Sequence, residues 1–169
     1  MLQPILRYGA PALQTAAAPV EAIDEDVRRL IDDMVDTMYA APGIGLAAPQ
    51  IGVPLRICVI DVSIGKRGGE LLTLVNPEFV ERDGMQIEEE GCLSVPGFVA
   101  TVARPKRTVV RALDRSGVSR VIEGTGVLAR ALQHELDHLD GRLFLSRLRG
   151  IKRDLIVRRI RKLERAGRW

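Results

Sequence analysis

The stretch that most narrows what this chain can fold into is Gln133-His134-Glu135-Leu136-Asp137-His138, a His-Glu-x-x-His run inside a helical pattern. Val127, Leu128, Ala131, Leu132, Leu136 and Leu139 give the segment a broad apolar surface, Thr125 suits its N-cap, and Gly141 suits its end. A helix this apolar is expected to pack inside the domain. On a helix, residues four apart share one face, with about 6 Å of axial rise between them. His134 and His138, the only histidines present, can therefore bind one metal ion, and two imidazoles on a dry face need such a partner. Glu135 can then reach a water on that ion and move its proton. By itself the run could also be a solvated helix face, so the other residues must decide.

Two histidines leave a catalytic metal one protein ligand short, since such sites typically use three and keep a fourth position open. The carboxylates after His138 are Asp140, Asp154 and Glu164; the first follows too closely and the other two belong to a basic tail. Cys92 is the better third ligand, because a thiolate binds zinc or ferrous iron strongly. The other cysteine, Cys58, lies in the β-type run Arg56 to Val62 and reads as a small buried thiol. Two cysteines do not make a disulfide scaffold.

Around these residues the sequence predicts a single domain over 1–169. Residues 1 to 23 read as an extended arm. An amphipathic helix follows Asp24, with Val27, Leu30, Ile31, Met34, Val35 and Met38 at helical spacing, and stops at Pro42-Gly43. Gly43 to Gly52 is neither good helix nor good strand. Its Gly-x-Gly is no dinucleotide loop, since no strand precedes it and a helix ends where one should begin. Small residues there let a backbone approach a site, and the Gln50 amide could polarise a carbonyl oxygen. Strands are expected at 56–62 and 71–75, with a hairpin about Asp83-Gly84, a mobile loop at 65–69, and a second hairpin pairing 107–113 with 118–122. The expected class is α+β: mostly antiparallel β-sheets packed around a central metal-binding helix, with an N-terminal amphipathic helix and a C-terminal helix.

No apolar run is long enough to cross a bilayer and no secretory signal is visible, so the cytoplasm is the expected compartment. The charge is uneven. The overall formal charge is +3, but Lys152 to Arg168 alone carries +6, leaving −3 for the rest. The basic helical tail, 151–169, is either a solvated face on a packing helix or a surface for nucleic-acid phosphates.

Three ordered segments, Gly43-Ile44-Gly45-Leu46-Ala47-Ala48-Pro49-Gln50, Glu90-Gly91-Cys92-Leu93-Ser94 and Gln133 to His138, together resemble the bacterial-type peptide deformylases, over about Ile5 to Leu148. The resemblance implies that Cys92, His134 and His138 hold one divalent metal, natively Fe2+, with Zn2+, Ni2+ or Co2+ as substitutes. It implies hydrolysis of the N-formyl group of nascent chains that begin with formyl-methionine. Water activated at the metal attacks the formyl carbon, Glu135 serves as general base and then acid, and Gln50 with the Leu93 N–H stabilises the oxyanion. Gly45 is expected to line the substrate main chain, and Ile44, Leu93, Val127 and Ala131 to form the methionine pocket. Asp137 is expected to support the site rather than bind the metal. The resemblance further suggests ribosome contact through the basic tail. The expected partners include no DNA and no membrane, and the expected state is a monomer. Two alternatives remain: a zinc peptidase of the His-Glu-x-x-His type, and a non-enzymatic module closed by a fourth protein ligand.

Overall fold

The computed structural model describes all 169 residues. Its first helix, α1 (Glu25–Ala40), begins where the sequence predicts, with the Asp24 carboxylate accepting the Val27 N–H at 3.0 Å. The Gly43–Gly52 stretch then divides into a three-residue strand, β1 (Gly45–Ala47), and a 3-10 turn (Ala48–Ile51) that presents Gln50.

Five strands form one antiparallel sheet in the order β1-β2-β3-β6-β7, comprising β2 (Ile57–Ile60), β3 (Leu72–Asp83), β6 (Arg107–Leu113) and β7 (Ser119–Thr125) beside β1. All four residues of β2 are buried because both faces of the sheet are covered. Ile57 and Val59 meet Ile31, Met34 and Met38 of α1, while Cys58 and Ile60 meet the second helix, α2 (Gly126–Leu139). The second predicted hairpin is present, with β6 and β7 paired from Arg107↔Thr125 to Leu113↔Ser119.

The first predicted hairpin is not. The chain turns at Gly84, but β3 pairs with β6, and β4 (Gln86–Gly91) pairs instead with β5 (Val99–Arg104) in a separate two-stranded sheet. The strand predicted at 71–75 runs on to Asp83 through a register shift between Val75 and Glu78, where Asn76 takes φ +51° and bonds the arm at Val20 through both amide atoms. The 65–69 loop is exposed, and the Asp61 carboxylate anchors its start by accepting from Ser63 and Gly65.

α2 is the centre of the molecule, and every residue from Ala129 to Leu139 is buried. Ala131, Leu132, Leu136 and Leu139 pack on the large sheet. Arg130, His134 and Asp137 face the other way, toward the small sheet, while Glu135 lies against Gly45 of β1. A third apolar cluster, with Leu13, Val95, Val102, Phe144 and Ile160, closes that side and includes the last helix, α3 (Ile151–Arg165). Thr125 stands at the α2 N-cap in extended conformation, but its hydroxyl makes no capping bond. No helix is long and apolar enough to cross a membrane.

Candidate active site

Helical spacing brings the two imidazoles together as the sequence predicts, with His134 Nε2 and His138 Nε2 3.2 Å apart. Cys92 Sγ, delivered by the turn after β4, lies 3.2 Å from His138 Nε2. The donor atoms of Cys92, His134 and His138 all fall within 4.8 Å of one another. Two nitrogens on one tetrahedral ion, each about 2 Å from it, stand about 3.3 Å apart, so the spacing fits a metal. Burial holds His138 well below the usual histidine range, whereas at His134 the neighbouring Cys92 and Glu90 outweigh burial and hold the ring well above it.

No carboxylate and no further histidine joins the cluster. Asp140 is exposed and paired with Arg56 at 2.9 Å. The peptidase alternative, which needs a carboxylate or histidine third ligand, therefore loses its support, as does a module closed by a fourth protein ligand.

Beneath the ligands lies a buried charge network that residue spacing alone hardly signals. His134 Nδ1–H donates to Glu90 Oε2 at 2.6 Å, which leaves Nε2 free for a metal. Arg104, with no exposed surface, donates to both Glu90 oxygens at 2.6 and 2.7 Å and to Asp137 at 3.0 Å. Arg130 adds a bond to Glu90 at 2.9 Å, and Arg147 grips Asp137 with bonds of 2.6 and 2.7 Å. Burial opposes charge on Glu90, but the Arg104 and His134 hydrogen bonds outweigh it and hold the carboxyl well below the usual range. Asp137 supports the site as expected. Glu90 sat in a three-glutamate run that reads as solvated surface. The available signal was strand alternation, which puts Gln86, Glu88 and Glu90 on one face of β4.

A groove of about 1260 Å³ opens over the cluster and reaches Cys92, His134 and Glu135. Ile44, Gly45, Gln50, Leu93, Val127 and Ala131 all line it, whereas His138 lies behind Cys92 and His134 and does not. Glu135 is buried in its wall, burial pushes its carboxyl up to about 7, and its Oε2 has no hydrogen-bond partner. Gln50 is fixed by accepting the Ala47 N–H at 2.9 Å, and its amide donates to Ser94 Oγ at 3.0 Å beside Cys92 Sγ at 3.7 Å. Ser94 is a positioning group that the sequence did not single out. Gly45, besides lining the groove, lies against Glu135. A Cβ there would meet Glu135, 2.9 Å from Cδ and 3.1 Å from Cγ, so the missing side chain makes room first for this carboxylate.

The polypeptide deformylase family model matches residues 2–154. The peptide deformylase of Acidobacterium capsulatum is 50% identical over all of this chain and 99% of its own length. That of Alkalilimnicola ehrlichii is 49% identical over 97% of this chain and 92% of its own. The crystal structure of a peptide deformylase from Legionella pneumophila superposes with a TM-score of 0.92 at 47% identity, covering 99% of this chain and 98% of that one. The motif order, the Cys/His/His cluster and these likenesses agree, and the chain belongs to the polypeptide deformylase family.

Proposed function

We propose that this chain removes the formyl group from the formyl-methionine of nascent polypeptides and releases formate, acting over residues 1–169 as one catalytic unit. The observation that carries this reading is the convergence of one sulfur and two imidazole nitrogens beside the buried Glu135 carboxylate in the wall of an open groove. Cys92, His134 and His138 would hold one divalent metal, with Fe2+ native and Zn2+, Ni2+ or Co2+ as substitutes, since thiolate and imidazole suit these ions. A metal there supplies Lewis acidity and lowers the pKa of water.

The protein's own groups do the rest. Glu135 accepts a proton from the attacking water and returns it to the leaving amine, which a carboxyl near neutrality can do in both directions. The Gln50 amide and the Leu93 N–H donate to the oxyanion. Ile44, Leu93, Val127 and Ala131 take the methionine side chain. Formate release from formyl-Met-Ala-Ser by the metal-loaded protein tests the assignment; cleavage of the unformylated peptide in its place would overturn it.

The basic tail carries a second, smaller reading. α3 buries only Ile160, and Arg158, Arg159, Arg161 and Lys162 are exposed. That free cationic face suits rRNA phosphates and supports docking of the tail on the ribosome, for an enzyme we take to be a cytoplasmic monomer. Neutralising those four residues should abolish low-salt co-sedimentation with ribosomes, and unchanged co-sedimentation would refute the contact.

A further inference from the structure

Beyond α3 the chain turns back at Gly167, with φ +66°, and lays Trp169 against the rim of the groove. Its indole meets the Phe98 ring edge-on, with centroids 6.0 Å apart at 61°. The indole N–H donates to the Tyr8 carbonyl at 2.9 Å, and the Arg7 guanidinium lies 5.7 Å from the ring centroid. Phe98 itself lines the groove, at the end of the turn from Val95 to Phe98. That turn has little backbone support, since the Phe98 N–H reaches the Val95 carbonyl only at 3.4 Å and Pro96 and Gly97 are exposed. Where Phe98 stands is therefore set by side-chain packing, and the aromatic ring packed against it is Trp169.

The same residue also holds the arm. Tyr8 N–H donates to the Ser94 carbonyl at 2.8 Å, and Leu6 N–H donates to the Gln50 carbonyl at 2.7 Å. One indole thus ties together the groove rim and the segment that braces Gln50 and Ser94. We propose that Trp169 is a positioning residue for peptide binding, a latch through which the segment after α3 fixes the Phe98 rim of the substrate groove. This rests on the deformylase reading of the same site. A purely structural role for Trp169 would change thermal stability alone. A latch makes two further demands: the indole must sense an occupied groove, and its loss must raise KM rather than lower kcat.

Trp169 is the only tryptophan, so protein emission at tryptophan wavelengths reports on this contact by itself. The metal-loaded Glu135→Gln protein is titrated with formyl-Met-Ala-Ser, followed by fluorescence and calorimetry on the same sample. A saturable emission change that tracks the heat, and that Phe98→Ala removes, is expected. In otherwise unmodified enzyme, Trp169→Ala should raise KM about 3–10-fold with kcat within about twofold, and Trp169→Phe, which keeps a ring against Phe98, should restore most of the KM. Silent emission in a sample that binds by calorimetry, or a normal KM in Trp169→Ala, overturns the latch while formate release still upholds the deformylase reading. If Trp169→Ala does not fold, the titration and Trp169→Phe decide. Absence of formate release by the unmodified enzyme overturns both.

Discussion

Gly45→Ala is a single-methyl probe of where Glu135 must stand. Gly45 is not among the positive-φ residues, so alanine adds a methyl without backbone strain. That methyl would lie 2.9 Å from Glu135 Cδ and 3.1 Å from Cγ, closer still to Oε1, where carbon contacts prefer about 3.5–4.0 Å. The groove side is open, so the carboxylate should move about 1 Å into it at a stability cost of about 1–3 kcal/mol. A displacement of about 1 Å in a reacting group costs roughly 100-fold in rate. That corresponds to about 2.7 kcal/mol of transition-state stabilisation. Formate release should therefore show kcat/KM down about 100-fold with metal content unchanged, because Cys92, His134 and His138 are untouched. In a Glu135→Gln background, already slow for lack of the proton carrier, the same methyl should cost less than about threefold. A Gly45→Ala enzyme within about threefold of normal refutes the reasoning, and so does a full 100-fold loss in both backgrounds, which would move the clash onto the substrate main chain.

Other outcomes follow from the buried network and the loop anchor. Glu90→Gln removes a full charge from the acceptor that orients His134, and metal affinity should fall about 10–100-fold in chelator competition, with unchanged affinity counting against that role. Restoring metal to chelator-treated protein at about 1,000 times its Kd should add about 4 kcal/mol to unfolding free energy, and Cys92→Ala should erase most of that gain. Asp61 is buried, which opposes its charge, yet bonds from Tyr39 and Ser63 hold its carboxyl below the usual range. The stability it contributes is thus present above the unfolded-state pKa and lost as pH falls through the lower folded value. Asp61→Asn should cost about 1.5–3 kcal/mol at neutral pH in urea unfolding and progressively less below about pH 4; an equal loss at both ends would contradict this.

Much of this protein is legible in one dimension because its chemistry is periodic. The spacing of His134 and His138 requires a shared face on any helix, and the broad apolar surface of that helix calls for packing inside the domain. Cys92 followed from ligand number, as a better third ligand than the carboxylates after His138. The hairpin expected to pair 107–113 with 118–122 followed from the turn signal at Asp114–Gly117, and its second strand runs from Ser119 to Thr125. What escaped depends on contacts between distant segments. β3 and β4 are neighbours in sequence, but they separate because β3 finds β6 and β4 finds β5, and pairing is decided by whichever strands bury the most surface together. Glu90 resembles its two exposed neighbours by composition, and only docking of β4 onto α2 buries it under His134, Arg104 and Arg130. Gly45 could be read as making room, but not for what. The sequence by itself determined the metal ligands, the central helix and the α+β class, because each rests on local spacing or on a limited supply of residue types. Tertiary structure alone decided the Glu90–Arg104–Asp137 network, the placement of Glu135 against Gly45 and the return of Trp169 to the groove, because these need segments from across the chain to be held within bonding distance.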